Sequence, residues 1–353
     1  MSSPSVRKAV LLINFGEPGT SDLAEVVPFL EKVFLANAAL GGAIPQEEAR
    51  RRSRELAARR APGLIAEYER IGGSPLNRQA DHQADDLSAE LAIRGCPALV
   101  RSAMQFTEPS IPWALEDLRD LGVEHLAVVP VYPLCGPSTT VAALEAVDTA
   151  LRRLRWEPDV AEVTGWHRHP AYVRLRAESI LAAARGAGLD LADPSVELVF
   201  SAHGTPISYL EAGSHYVEYV EDGCARVASA AGAASYTLGY QNHSNRGIEW
   251  TRPSTEEALR SLKGIRQVLV DAASFIHEQS ETLSELDIDL REEARRMGLD
   301  FHRVPVPHDD HAFVQVLADL AELAFGRAVG GLATRACRCR PGAAVCFNGD
   351  PAT

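Results

Sequence analysis

The sharpest chemical feature of the chain is a single histidine. His203 lies in Ser201-Ala202-His203-Gly204-Thr205-Pro206, directly after the apolar run Val196–Phe200. An imidazole flanked by small residues at the end of a strand is accessible and titrates near neutral pH, so it can accept or return a proton. The plainer alternative is a side chain that caps the turn. Glu281 and Glu285 are four residues apart and share one face if the segment is helical, with Asp287 just beyond. Hard oxygen ligands in series suit a divalent metal held only briefly. The alternative is a solvated acidic helix start, favoured by the helix dipole. Thiols form the third constellation. Cys337, Cys339 and Cys346 all fall in the last 17 residues, whereas Cys96, Cys135 and Cys224 are scattered. Such clustering competes between metal binding and a bare thiol-bearing tail.

Other motifs are absent or weak. There is no G-x-S-x-G elbow, no G-x-x-x-x-G-K-[ST] loop and no H-E-x-x-H pair, which removes the commonest hydrolase, NTPase and zinc-protease readings. His167-Arg168-His169 and His308-Asp309-Asp310-His311 match no familiar zinc spacing, and each lies in a Pro-bounded loop.

The elements that must position these groups follow from the pattern of the chain. Its 353 residues are 46% hydrophobic and 24% charged, enough for two cores of ordinary domain size. No apolar run approaches the roughly 18–20 residues of a membrane-spanning helix. The first run, Ala9–Phe15, reads as a buried strand and not as a signal peptide, which points to a cytoplasmic protein. A net charge of −13 disfavours nucleic acid as a partner. Short apolar runs (Val10–Asn14, Leu99–Met104, His125–Val131, Val160–Val163, Val196–Ser201, Ala234–Gly239, Gln267–Val270) alternate with amphipathic segments such as Gln83–Arg94, Ile111–Leu121 and Thr140–Leu154. That alternation predicts an α/β fold with two similar domains, each a parallel β-sheet flanked by helices. The division expected is 1–165, 166–330 and a Cys-bearing extension from 331 to 353. Ligands of such sheets bind beyond the carboxyl ends of the strands, where His203, Phe15, Tyr132 and Cys135 all fall. Arg50–Arg60 holds six Arg and follows the apolar segment Phe34–Pro45. This pattern fits a solvated helix face, or a greasy lip with a basic rim that touches an anionic membrane peripherally or holds the carboxylates of an apolar ligand.

In order and spacing these segments resemble ferrochelatase, the family that inserts ferrous iron into a porphyrin to finish haem synthesis. Ala9-Val-Leu-Leu-Ile-Asn-Phe-Gly-Glu-Pro18 is similar to the family's opening strand, and Ile71-Gly-Gly-Ser-Pro-Leu-Asn77 to its IGGGSPL segment. Val131-Tyr-Pro133 with Ser138-Thr-Thr140 resembles its LYPQYS..TT loop, and Gly239-Tyr-Gln241 through Trp250 its YQSR.G…W..P stretch. Ser201–Pro206 and Glu281–Asp287 resemble the two active-site signatures. The resemblance implies two Rossmann-like domains of the chelatase type, with catalytic His203 and Glu281 and an acidic path through Glu285 and Asp287. It places Phe15, Tyr132, Ser138, Thr139 and Trp250 against the porphyrin, the last two hydroxyls beside its carboxylates. It leaves open which of His203 and Glu281 takes the protons and which delivers Fe2+, and whether the protein is a monomer or a homodimer.

The chain departs from the family at several positions. Gln105 replaces the Arg of an MRY motif, Gln279 replaces a His, and Asn242-His243 occupies part of QSR. Phe15 stands where coproporphyrin-using members have Tyr, which favours protoporphyrin IX over coproporphyrin III. Bacterial members with a [2Fe–2S] cluster hold it through three C-terminal Cys and one upstream. By that resemblance Cys337, Cys339 and Cys346 are joined by Cys135, with Cys96 and Cys224 in reserve. Thiolate ligation is what such clusters require. The remaining alternatives are a chelatase inserting cobalt into a corrin precursor and a non-catalytic porphyrin-binding protein on the same scaffold.

Overall fold

The computed structural model describes residues 7–38, 44–242 and 248–349. Two four-stranded parallel sheets are built to one plan. The first contains β1 (Lys8–Asn14), β2 (Leu99–Met104), β3 (His125–Pro130) and β4 (Asp159–Glu162) in the order β2-β1-β3-β4. The second contains β5 (Val196–His203), β6 (Tyr236–Gln241), β7 (Gln267–Ala272) and β8 (Asp300–Val304) in the order β6-β5-β7-β8. In both, the first strand of the set is central, and its near-continuous apolar run is what a strand covered on both faces needs.

The helices are α1 (Leu23–Ala36), α2 (Gln46–Ile71), α3 (Leu76–Ile93), α4 (Ile111–Asp120), α5 (Ala142–Leu154), α6 (Pro170–Ala187), α7 (Ile207–Glu211), α8 (Tyr216–Ala231), α9 (Thr255–Ser261), α10 (Arg291–Arg296) and α11 (His311–Ala324). Two π-helices interrupt the pattern, Pro137–Val141 ahead of α5 and Glu281–Leu290 ahead of α10. One core packs Leu11, Ile13 and Val128 against Leu115, Leu118, Leu144 and Val147. Another packs Val268 and Val270 against Phe275, Leu286 and Leu290, so the second π-helix is anchored by its apolar side.

The chain divides into two compact units, but not at the contiguous boundaries expected. The first comprises residues 1–17, 76–169 and 308–353, the second 18–75 and 170–307. The cause is packing. α11 buries Phe313, Val316, Leu317 and Leu320 and lies against α3 and β3, which returns the C-terminal segment to the first unit. α1 and α2 pack on one another, and α2 also packs on the second π-helix, where Arg70 Nη1 donates to Asp289 Oδ1 at 2.8 Å. The segment Phe34–Pro45 is described only at its ends. Leu35 is 39% exposed there, and residues 39–43 lie outside the described residues. Among the described residues no helix is long and apolar enough to cross a membrane.

Candidate active site

In the second unit, β5 ends at His203 and its neighbour β6 ends at Gln241, paired in register. Both side chains therefore emerge at the carboxyl edge of the sheet. His203 Nδ1 donates to the Gly204 carbonyl oxygen at 2.6 Å, because a carbonyl can only accept. That contact assigns the tautomer and turns Nε2 towards Glu281 Oε1, 3.2 Å away. Burial acts against the imidazolium, but the Glu281 carboxylate, the Gly204 carbonyl and Glu285 outweigh it and hold His203 above the usual histidine value.

Glu281 opens the π-helix, and its other oxygen, Oε2, accepts from Gln279 Nε2. Gln241 Nε2 donates both to the Glu281 carbonyl at 3.0 Å and to Glu285 Oε2 at 3.1 Å, tying the end of β6 to this helix. The i→i+5 bonding of a π-helix widens the turn, yet Glu281 and Glu285 still face the same side. Desolvation, then the charges of Glu281 and Glu67, push the Glu285 carboxyl up to about 8. Asp287 is placed elsewhere. Its Oδ1 accepts from Arg303 Nε at 2.8 Å and from Arg291 Nη2 at 3.2 Å. The acidic series thus contains Glu281 and Glu285, while Asp287 is held by two guanidinium groups.

The His203 turn is fixed from two directions. Its backbone N–H donates to Ser274 Oγ at 3.0 Å, and the Tyr216 hydroxyl donates to its carbonyl at 3.0 Å. Residues 249–251 run beside residues 205–207 through Ile207 N–H to Glu249 O (2.9 Å) and Thr251 N–H to Thr205 O (3.0 Å). The bridge between Pro206 and Trp250 belongs to this run, so Trp250 stands next to the His203 turn. Gly204 has no room for a side chain here, since an added Cβ would lie 2.8 Å from the Gln241 carbonyl.

In the first unit, Phe15 follows β1 and packs on Phe106 with ring centroids 4.6 Å apart. Tyr132 follows β3; its hydroxyl donates to Gln105 Oε1, and burial pushes its pKa up. Ser138 is exposed in the first π-helix, and Thr139 Oγ1 donates to the Gly136 carbonyl at 3.4 Å.

The first unit also gathers four thiols. Cys135 interacts with Cys337 and Cys339, and Cys337 in turn with Cys346. None of the six cysteines is in a disulfide. Donation by the neighbouring S–H groups pulls Cys337 below the usual thiol range, while Cys135 and Cys346 are pushed up. Among the described residues no group of three or more His, Cys, Asp or Glu side chains is set to hold a metal ion. Cys96 and Cys224 are buried. His167 and His169 are buried structural residues, the latter with Nε2 3.4 Å from Asp319.

A family model described as ferrochelatase matches residues 7–324. The chain belongs to the ferrochelatase family. A ferrochelatase of Synechococcus sp. (strain JA-2-3B'a(2-13)) is 34% identical over 327 residues, covering 89% of this chain and 92% of that protein. A ferrochelatase of Geobacter sp. (strain M21) is 29% identical over 326 residues, covering 91% and 99%. Among solved structures, SirB from Bacillus subtilis with Fe3+ matches with a TM-score of 0.53 at 11% identity, covering 91% of this chain and 98% of that one. That likeness shows a shared fold. For this ferrochelatase-family chain, sequence reasoning passed over Gln241, Tyr216 and Ser274 as site residues. Gln241 carries a usable signal, because it ends a strand. Tyr216 and Ser274 carry none, since only folding brings them beside His203.

Proposed function

We propose that this protein is a ferrochelatase that inserts Fe2+ into protoporphyrin IX, releasing two protons and yielding protohaem. The observation that carries the reading is the His203–Glu281 pair, with Glu285 behind it, at the edge of the second sheet of a ferrochelatase-family chain. With Nδ1 committed to a carbonyl, Nε2 is the only basic atom that His203 can offer a pyrrole N–H. Each proton accepted there passes to the Glu281 carboxylate 3.2 Å away. Glu285, its carboxyl pushed up to about 8, already carries a proton at neutral pH and hands it outward as the next one arrives. The same carboxylates, once ionised, offer hard oxygens to the incoming Fe2+ substrate and release it without the retention a thiolate would give. His203 is thus the base, and Glu281 and Glu285 form the route shared by departing protons and arriving metal. Phe15 on Phe106 offers an apolar surface with no hydroxyl, which suits the vinyl-bearing porphyrin better than one with four carboxylates.

The test is anaerobic Fe2+ insertion into protoporphyrin IX and coproporphyrin III, followed by loss of porphyrin fluorescence. His203→Ala and Glu281→Gln are each expected to lower kcat by about 10²–10⁴-fold. Faster turnover of coproporphyrin III would reverse the substrate assignment. Tight porphyrin binding without turnover by the wild type would replace catalysis with binding.

We further propose that Cys135, Cys337, Cys339 and Cys346 hold a [2Fe–2S] cluster. Four gathered thiols are the donor set such a group needs. Asn348, two residues after Cys346 and packed against Gly165, has both side-chain polar atoms buried without a hydrogen-bond partner among the described residues. A cluster held by these four cysteines would supply a one-electron couple and would tie the tail to the loop after β3. Cys339→Ser should abolish the visible absorbance of protein made anaerobically, and a wild type that stays colourless would remove the cluster.

A further inference from the structure

Two different devices hold the cysteine segment. Cys346 is fixed by main chain: Val345 N–H donates to the Glu162 carbonyl at 3.1 Å, Thr164 N–H to Val345 O at 2.8 Å and Phe347 N–H to Gly165 O at 2.9 Å. This adds a short run to the open edge of the first sheet, beyond β4. Cys337 and Cys339 lie in a stretch with no helix or strand. Arg335 N–H donates to the Cys346 carbonyl at 2.7 Å just ahead of them, and the Arg340 side chain then ties the stretch to the sheet and α5. Arg340 Nε donates to Glu162 Oε2 at 2.9 Å, and Nη2 donates to Glu162 Oε1 at 2.6 Å and to Asp148 Oδ2 at 2.7 Å. The Arg340 backbone N–H donates to Cys337 Sγ at 3.3 Å. Glu162 ends β4 and Asp148 lies in α5, so the guanidinium is gripped by two rigid elements. A two-point guanidinium–carboxylate pair sets both distance and plane. The Arg340 and Glu162 side chains are only 24% and 15% exposed, which limits screening by solvent.

We propose that Arg340 is a positioning residue that assembles the four-thiol site before any metal arrives, by holding Cys337 and Cys339 against Cys135. The proposal rests on the reading of these thiols as one metal-binding site. Ordering an irregular segment costs conformational entropy; the ion pair with Glu162 and Asp148 settles that cost in the metal-free chain, so binding does not have to.

The test uses reduced, metal-free, full-length protein with two readouts. Alkylation by iodoacetamide is followed at each cysteine by mass spectrometry, and Co2+ is titrated anaerobically while thiolate-to-cobalt charge transfer is recorded. In Arg340→Ala, Cys337 and Cys339 should react about tenfold faster, and Co2+ affinity should fall by about 10–100-fold. Cys96 and Cys224, both buried, should keep their wild-type rates. Arg340→Lys should restore part of both effects, and Glu162→Gln, which keeps the arginine, should reproduce part of the loss. Acceleration at all six cysteines would mean general loosening and would overturn the positioning role. Wild-type behaviour in Arg340→Ala, with a clear wild-type cobalt band, would overturn the proposal alone. No thiolate–cobalt band in the wild type would overturn the four-thiol site itself, and the proposal with it.

Discussion

His203 and Glu281 are separated by a distance at which one proton serves both, and the sign of each titration follows from their surroundings. Burial lowers the histidine pKa, but the charge and hydrogen bond of Glu281, with the Gly204 carbonyl and Glu285, together reverse this. The base must be neutral to accept a pyrrole proton, so insertion should quicken as pH rises through this raised pKa. In Glu281→Gln the acid limb of the kcat profile should move to lower pH, alongside the drop in rate; an unmoved limb would assign the limb to another group. Glu285 is also displaced upward, to about 8, because desolvation disfavours its charged form. Between its ordinary range and that value the folded protein keeps a proton that the unfolded chain releases, so stability falls as pH rises across this window. Glu285→Gln should therefore raise Tm by about 3 °C at pH 9, with the gap closing by pH 5. Equal melting temperatures at both pH values would show that Glu285 ionises normally.

At the scale of elements, the π-helix Glu281–Leu290 is held on three sides. Leu286 and Leu290 enter the core, Arg70 of α2 reaches Asp289, and Arg303 of β8 reaches Asp287. Arg303 also donates from Nη2 to Glu278 Oε1 at 2.9 Å, and Thr282 donates to Glu278 Oε2 at 2.6 Å, so the start of this helix is locked by a buried acid. Asp287 thus belongs to the clamp. Asp287→Asn should lower Tm by a few degrees, roughly the effect of losing a partly buried pair, with the KM for Fe2+ unchanged. A raised KM at an unchanged Tm would return Asp287 to the metal path. The same logic explains the buried pair Arg176–Asp271 at 2.6 Å: Arg176 also donates to the carbonyls of Ala272 and Phe275, and so shapes the loop that presents Ser274 to His203.

At the scale of the molecule, two sheets with the same strand order carry different chemistry. The first holds the aromatic residues Phe15 and Tyr132 and the four thiols; the second holds the His203–Glu281 pair. The cysteine segment shields the free edge beyond β4, which would otherwise present unpaired backbone groups. Ending the chain after Gly330 should lower Tm by several degrees and promote aggregation through that edge, as read by calorimetry and light scattering. An unchanged melt would show that the segment contributes nothing to the fold.

The sequence by itself determined the fold class and most strands, because parallel strands buried on both faces need continuous apolar runs such as Ala9–Ile13 and Leu198–Phe200. It missed β8, whose alternation Asp300-Phe301-His302-Arg303-Val304 belongs to a sheet edge and lacks that run. It singled out His203, Glu281 and Glu285, because imidazole and paired carboxylates at strand and helix ends are unusual enough to notice. Only tertiary structure separated Asp287 from them, since its partner Arg303 is 16 residues away on another element. Only tertiary structure brought Cys135 to the distant Cys337, and sent residues 18–75 to one unit and α11 to the other. Local spacing reports periodicity and turn chemistry; which surfaces bury each other depends on complementary apolar area and charge far apart in the chain, and that is settled only when the chain folds.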